Sequence, residues 1–406
     1  MSAGTASVEA AGFSSRRNVL AAAAANGIGF AGFTLVMPFL PLYIRELGVT
    51  DVADIALWTG LTLGATPAVA AISAPFWGRV GDRYGSKVLV IRSLAAFVVT
   101  KAAMGLVTSA WQLFALRALL GVFAGYGALT TSMAAESVPR ERMAAAIGTV
   151  QVAQRLGPAV GPIIGGILAP LVGLRRTFFV AAAFYLVAVA IIAVVYREPR
   201  SRQTRAAQRG LREIFRELSA TPGFWMVFVV ILALQLVDRS FGPILPLYVE
   251  RLVPVAQVPL VAGVLFSIAA VAAAVGHHVA APLLERWSPR NLIAWSAVAT
   301  AAGLALLVQV PSIQAFGVAL AVAGAAIGVG MTAAFTSGGA LMPADAHATG
   351  FGVMMTASLI GLAVSPVVAG LISGPELRVV FEADIVLLVL LAVAVCTWMG
   401  RTEVRS

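Results

Sequence analysis

Five charged side chains fall inside long apolar stretches of the sequence, where a charge needs a function or a partner. Four are basic, Lys101, Arg117, Arg155 and Arg239, and one is acidic, Asp238. A lone carboxyl group among apolar residues can bind and release a proton, because loss of water favours its neutral form while nearby cations favour its charged form. Asp238 is therefore a candidate proton-binding residue; the alternative is a structural ion pair with Arg117 or Arg155. Adjacent helical residues do not face each other, so we expect Arg239 not to neutralise it.

Other kinds of chemistry find little support in the residue types. The chain contains 3 histidines and 1 cysteine. His277 and His278 point about 100° apart on a helix and have no evident third partner, so we expect a structural role rather than a metal site. No phosphate-binding loop of the G-x-x-x-x-G-K-[ST] type occurs, which excludes ATP as an energy source within this chain. We expect no enzyme activity, no metal and no cofactor.

The embedded charges are held by stretches long enough to cross a membrane. Of the 406 residues, 60% are hydrophobic and 11% are charged, which excludes a soluble enzyme, a DNA-binding module and a disordered chain. About 20 apolar residues cross the hydrocarbon core as a helix, and the period-two alternation of barrel strands is absent. We predict an all-α polytopic membrane protein with twelve transmembrane helices, spans 1 to 12, at 20–43, 56–77, 88–108, 111–134, 143–168, 177–196, 223–248, 258–283, 291–310, 313–336, 349–373 and 379–400.

The basic residues predict how these spans are oriented. Of the 28 lysines and arginines, four lie within spans, 19 lie on the side that holds both termini, and five lie on the other side: Arg45, Arg175, Arg176, Arg251 and Arg378. The positive-inside rule places both termini in the cytoplasm, as in a multi-pass protein of the plasma (inner) membrane. The net charge of +10 then reflects topology and contact with anionic lipids, not nucleic acid.

The chain also repeats itself at an offset of about 204 residues. Pro38–Tyr43 (PFLPLY) matches Pro243–Tyr248 (PILPLY), and Gly157–Gly166 matches Gly361–Gly370. Matches in corresponding spans indicate two six-span halves with the same orientation. We predict an N-terminal half at 1–196, a basic cytoplasmic linker at 197–222 whose second part is an amphipathic helix on the inner leaflet, and a C-terminal half at 223–406.

The loop after span 2 has the form G-x-x-x-D-R-x-G-x-K. Glycines permit a tight turn between packed helices, and a carboxylate there can cap a helix or pair with arginines in one conformation only. Topology determinants alone would explain the basic residues but not the aspartate and the glycines. We predict a gating segment, in which Glu136 at the inner end of span 4 pairs with Arg79 or Arg83. Its residues are Gly78, Asp82, Arg83, Gly85, Lys87 and Glu136.

Span 5 contains the pattern G-P-x-x-G-P-x-x-G-G. Small residues let helices approach closely and prolines bend them, whereas ordinary small-residue packing does not need both prolines. We expect this segment and its copy in span 11 to form the seam about which the halves move. The residues are Gly157, Pro158, Gly161, Pro162, Gly165 and Gly166.

In span 4, Arg117 precedes Gly121 and Gly125. A membrane-embedded arginine costs at least ~2.5–3.5 kcal/mol, and we favour a role for Arg117 in the cavity over snorkelling to the headgroups.

Two parallel six-span repeats joined by a basic linker resemble the major facilitator superfamily over essentially the whole chain. The loop after span 2 resembles the family's motif A, the Arg117 segment of span 4 its motif B, and the glycine- and proline-rich segment of span 5 its motif C. Within the motif A segment, Ser86 stands where the family commonly has a second basic residue. Motif C marks the 12-span drug–proton antiporters. The resemblance implies a monomeric secondary transporter that exports small, amphiphilic molecules by proton antiport with alternating access. Export of one metabolite, sugar or siderophore, and a non-transporting membrane sensor or enzyme, remain as alternatives.

The resemblance further implies a central cavity lined by spans 1, 4, 7 and 10. Lys101 lies on span 3, an outer helix in this family, and we expect it to snorkel. We expect Glu382 and Asp384, at the start of span 12, to lie at headgroup level. The excess of embedded cations predicts neutral or anionic substrates. The residues offered to the cavity are Asn26, Phe30, Phe33, Arg117, Tyr126, Asp238, Arg239, Phe241 and Phe335.

Overall fold

Long helices make up almost all of the chain that the structure describes. The computed structural model describes residues 2–198, 221, 223–309, 312–342, 347–374 and 376–398, and no strand occurs in these ranges. The predicted all-α class is confirmed. The α-helices are Ser2–Thr34, Leu40–Glu46, Val52–Tyr84, Ser86–Met104, Ala110–Val122, Tyr126–Glu136, Met143–Val172, Leu174–Val195, Phe224–Val249, Val258–Leu284, Pro289–Gln309, Ile313–Ala340, His347–Ser373 and Arg378–Trp398, with short 3₁₀ turns at Met37–Phe39, Arg140–Arg142 and Val255–Gln257.

These helices correspond to the twelve predicted spans. Eleven of the helical segments are long and apolar enough to cross a membrane. Span 3, Ser86–Met104, is the twelfth, and its hydropathy is lowered by Lys87, Arg92 and Lys101. It packs against spans 4 and 6. We call the side at which span 6 ends and span 7 begins the linker face, and the opposite side the distal face.

Spans 1 and 4 each consist of two helical pieces. In span 1 the first helix ends at Thr34, and a 3₁₀ turn at Met37–Phe39 leads into Leu40–Glu46. Prolines at 38 and 41 remove two backbone donors there, which favours a break. In span 4, Gly125 separates Ala110–Val122 from Tyr126–Glu136 with φ +119°, a conformation that a residue with a Cβ rarely adopts.

The two halves meet along a duplicated seam of small residues. Span 5 packs against span 8, and the repeat-related span 2 packs against span 11. A Cβ added to Gly166 would lie 2.5 Å from the Pro259 carbonyl oxygen, and one added to Gly370 would lie 2.6 Å from that of Ala56. The expectation of a seam between spans 5 and 11 was therefore wrong: the repeat symmetry places the two motif copies in separate, equivalent seams.

An ion pair closes the distal face between the halves. The Arg45 guanidinium at the end of span 1 bonds both carboxylate oxygens of Glu250 at the end of span 7, with Nη2 2.8 Å from Oε2. These two positions are separated by 205 residues, which is the offset of the repeat. The pair therefore lies where equivalent points of the two halves meet.

The predicted linker lies almost wholly outside the described residues. Of 197–222, only Arg197, Glu198 and Thr221 are described, so its amphipathic helix stays a prediction. The end of the N-terminal half is held to span 1, because Asn18 Nδ2 donates to the Arg197 carbonyl oxygen at 2.7 Å and the Arg197 backbone N–H donates to Asn18 Oδ1 at 3.0 Å.

Candidate functional site

A cavity of about 320 Å³ lies between the halves, toward the linker face. Its walls come from spans 5, 8, 10 and 11, so of the expected cavity spans 1, 4, 7 and 10 it shares span 10. Of the residues that the sequence offered to the cavity, Phe335 lines this one. Arg155, which was not among them, lines it as well. On span 8, His277 Nδ1 lies 2.9 Å from Thr332 Oγ1, while His278 is exposed on another side of the helix. The lining residues are Arg155, His277, Met331, Thr332, Phe335, Thr336 and Phe351.

Two cations are fully buried inside the N-terminal half. Lys101 and Arg117 are both 0% exposed, and among the described residues neither the ammonium nor any guanidinium nitrogen has a hydrogen-bond partner. Both lie over the Phe33 ring, at 5.6 and 5.5 Å from its centroid. The expectation that Lys101 snorkels was wrong, because its side chain turns toward spans 1 and 4 instead of the headgroups.

Aromatic residues surround this buried cationic pair. Phe30 packs on Tyr126 with ring centroids 5.5 Å apart, and Phe97 contacts both Tyr126 and Tyr185. Near them Asn26 is buried and donates to Gln154 Oε1 at 3.4 Å. The structure thus brings together five predicted cavity residues from spans 1 and 4; Asn26, Arg117 and Tyr126 are buried, Phe30 and Phe33 are half-buried, and none of the five lines the 320 Å³ cavity.

Asp238 forms an ion pair that the sequence argument rejected. Its Oδ2 lies 2.9 Å from Arg239 Nε, and no described ion pair joins it to Arg117 or Arg155. The error was to consider only the directions of adjacent Cβ atoms, since a long, flexible arginine can fold back to its neighbour. Beside this pair, the buried Phe241 packs against Phe381 of span 12 with ring centroids 5.8 Å apart.

Asp384 is a buried acid that sequence reasoning missed. Its residue is 7% exposed, and its Oδ2 lies 2.6 Å from Ser240 Oγ of span 7, within hydrogen-bond distance. Glu382 is exposed, as expected at headgroup level, whereas the same expectation for Asp384 was wrong. A signal existed in the helical spacing: Asp384 lies between Phe381 and Leu388, which are both fully buried, and so shares their face.

The gating segment is described in part. The side chains of Asp82 and Arg83, and Gly78, lie outside the described residues, so their roles stay predictions. Gly85 has φ +90°, and a Cβ there would meet Glu198 Oε1. Lys87 Nζ donates to the carbonyl oxygens of Ala193 and Tyr196 at 3.2 and 2.7 Å, where a cation stabilises the end of span 6. The exposed Glu136 accepts from Ser132 Oγ at 3.0 Å.

The glycine- and proline-rich segment of span 5 contacts two other spans. A Cβ on Gly157 would lie 2.5 Å from Phe30 Cβ, and Cβ atoms on Gly161 and Gly165 would collide with the backbone of span 1. On the other side of the helix, Gly166 faces span 8 of the other half, and the Pro162 carbonyl oxygen approaches Gly263. Pro158 and Pro162 both lie inside the helix. The segment therefore joins span 1 to the seam between the halves.

Comparison with known sequences decides the family. The family model described as Major Facilitator Superfamily matches residues 22–253 and again 254–406. The chain belongs to the major facilitator superfamily. Members of this superfamily are transporters and not enzymes, and eleven apolar helices agree with a multi-pass membrane protein.

Named relatives of this superfamily member include bacterial multidrug resistance proteins. It is 32% identical to "Multidrug resistance protein MdtG" of Proteus mirabilis over 69% of each chain. It is 34% identical to the protein of the same name from Yersinia enterocolitica, over 65% of this chain and 64% of the relative. The alignments thus leave about a third of each relative unmatched.

Solved transporters share its fold. A bacterial homologue of the human lysosomal transporter Spinster, in an inward-facing and unoccupied conformation, superposes with a TM-score of 0.77 at 18% identity, covering 95% of this chain and 98% of that one. The nucleoside transporter NupG superposes with a TM-score of 0.71 at 16% identity, covering 93% and 99%. At these identities the likeness concerns the fold alone.

Proposed function

We propose that this protein is a secondary active transporter that exports small, amphiphilic molecules by proton antiport, with alternating access between its two halves. The observation that carries the proposal is the duplicated seam, in which Gly166 and Gly370 each lie against a carbonyl group of the opposite half. Backbones in such close contact can rock as rigid bodies without opening a gap. The names of the multidrug resistance relatives support export as the direction.

The linker face is the cytoplasmic face in this proposal. The 19-to-5 distribution of basic residues supports it through the positive-inside rule. The ion pair between Arg45 and Glu250 then closes the outer face, and the cavity lies toward the cytoplasm. This arrangement suits entry of substrate from the cytoplasm or the inner leaflet, followed by opening of the outer face.

Proton coupling needs a carboxyl group within the membrane, and the sequence favours Asp238. Its Oδ2 forms an ion pair with Arg239 in this conformation. In this role Asp238 would take up a proton only in a conformation in which the pair is broken. Competition between that proton and the substrate would couple the two movements.

The substrates are proposed to be neutral or anionic. Lys101 and Arg117 are buried without an acidic partner among the described residues, and Arg155 lines the cavity. Uncompensated positive charge in a medium of low polarity is costly, so an anionic group would be stabilised there and a lipophilic cation would not. Arg117 would contribute most to this preference, since all three guanidinium nitrogens lack a hydrogen-bond partner.

Transport into everted membrane vesicles tests this function. Vesicles from a strain without its own efflux pumps should accumulate an anionic amphiphilic dye when a proton gradient is imposed, and a protonophore should abolish the uptake. Arg117→Ala should reduce uptake of the anionic dye more than that of a neutral one, whereas Arg176→Ala, at an exposed distal position, should change neither. Uptake that is indifferent to the protonophore would refute antiport; preferred transport of ethidium would refute the proposed charge preference.

A further inference from the structure

Spans 7 and 12 bury a carboxyl group and a hydroxyl group against each other. Asp384 Oδ2 lies 2.6 Å from Ser240 Oγ, and both residues are almost fully buried, at 7% and 3% exposure. Ser240 Oγ also lies 2.9 Å from the Val237 carbonyl oxygen of its own helix. The hydroxyl group is therefore placed between two oxygen atoms.

The hydrogen bonds among the Asp384 carboxyl group, the Ser240 hydroxyl group and the Val237 carbonyl oxygen depend on whether the carboxyl group is protonated. A serine hydroxyl carries one hydrogen atom and can donate only one full hydrogen bond, and the Val237 carbonyl group can only accept. If the Asp384 carboxyl is ionised, the Ser240 hydroxyl donates to it, and the Val237 carbonyl oxygen keeps only the backbone hydrogen bond that it accepts within its helix. If the carboxyl is protonated, Asp384 donates to Ser240 and Ser240 donates to Val237, so that both short contacts are hydrogen bonds.

The charges around Asp384 also favour its neutral form. On span 7, the nearest charged residues in sequence are Asp238 and Arg239, which already form an ion pair with each other. Span 9 carries Arg290 as its one titratable residue, and Arg290 bonds the Cys396 carbonyl oxygen near the linker face. The described side chains of span 11 include none that titrates. No described ion pair includes Asp384, so an ionised form would be a buried charge without compensation.

We infer that Asp384, held by Ser240, is a proton-binding site of this protein and carries a bound proton in the conformation whose distal face is closed by Arg45 and Glu250. The inference rests on the proposed proton antiport for its role and deepens it. Because antiport moves the proton inward as the substrate moves outward, Asp384 takes up its proton from the outer side while the distal face is open and gives it up toward the linker face after the distal face has closed. The Ser240 hydroxyl then turns from Val237 to the carboxylate, which changes the contact between spans 7 and 12.

Infrared difference spectroscopy on the purified full-length protein tests the site without any transport. The parent protein at neutral pH should show the C=O stretching band of a protonated carboxylic acid. Asp384→Asn should lose this band, whereas Asp238→Asn and the matched control Glu382→Gln, an exposed acid on the same helix, should keep it. Ser240→Ala removes the hydrogen-bond partner and should shift the band to higher frequency. A band that persists in Asp384→Asn, or is unshifted in Ser240→Ala, would overturn the inference.

Transport by the same variants tests the coupling role. In everted vesicles, Asp384→Asn should abolish uptake driven by a proton gradient and retain downhill equilibration, while Glu382→Gln should behave as the parent does. Gradient-driven uptake by Asp384→Asn would overturn the coupling role. If the parent itself shows no gradient-driven uptake, the proposed antiport fails, and the infrared band still decides whether Asp384 binds a proton.

Discussion

The ion pair between Arg45 and Glu250 gives a quantitative prediction about the outer face. The two side chains keep 35% and 19% of their surface exposed, so water weakens their attraction. Exposed pairs contribute about 0.2–1 kcal/mol, and this pair belongs at the upper end because it is bidentate. The Glu250→Gln substitution should therefore weaken the closed state by about 1 kcal/mol, which raises the ratio of open to closed outer face roughly fivefold.

Spin labels on either side of the closed face measure this ratio. In a Cys396→Ser background, cysteines replacing Thr50 and Val255, which are exposed in different halves, accept the labels. Double electron–electron resonance measures the distance between the two labels, and Glu250→Gln should show a larger long-distance population than the parent. The exchanged double variant Arg45→Glu/Glu250→Arg should restore much of the closed population, since the attraction depends on opposite charges and not on their order. An unchanged distance distribution in Glu250→Gln would refute the role of this ion pair in closing the outer face. A double variant that is as open as Glu250→Gln would refute it as well.

Three further predictions concern topology, gating and the seam. Reporter fusions at Ser2, within 200–216 and at Ser406 should all report the cytoplasm; a signal from the opposite side in the linker fusion would overturn the two-half arrangement. Asp82→Asn should leave expression and substrate binding near parent levels and slow transport by about ten- to a hundredfold, because the interaction predicted for its carboxylate is charge-assisted, worth about 1.5–3 kcal/mol, and made in one conformation only; parent-like rates at matched protein levels would make Asp82 a topology residue. Gly166→Ala should lower thermal stability by about 1–3 kcal/mol, because its Cβ would lie 2.5 Å from a backbone oxygen. Gly148→Ala in the same helix, where a Cβ meets nothing within 4 Å, should be neutral or stabilising, and equal losses in both variants would contradict close packing at the seam.

The sequence alone determined the helical class, the number of spans and the division into two repeats. Each of these depends on properties that are local or repeated along the chain. A membrane-spanning helix must be apolar over its whole length whatever it packs against, and a duplicated segment such as PFLPLY and PILPLY is visible without coordinates. The glycine positions of span 5 likewise identified a close contact, since a missing side chain implies a near neighbour.

Tertiary structure alone decided which surfaces meet and which charges are compensated. The glycine pattern of span 5 could not indicate its partner, because small residues permit any close neighbour; the symmetry of the assembled halves selects span 8. The same holds for Lys101 and Asp384, both near the ends of spans, where a side chain can reach either the headgroups or the interior. The direction depends on what the adjacent helices present: Phe33 for Lys101 and Ser240 for Asp384. These contacts join residues far apart in the chain, so no local pattern encodes them.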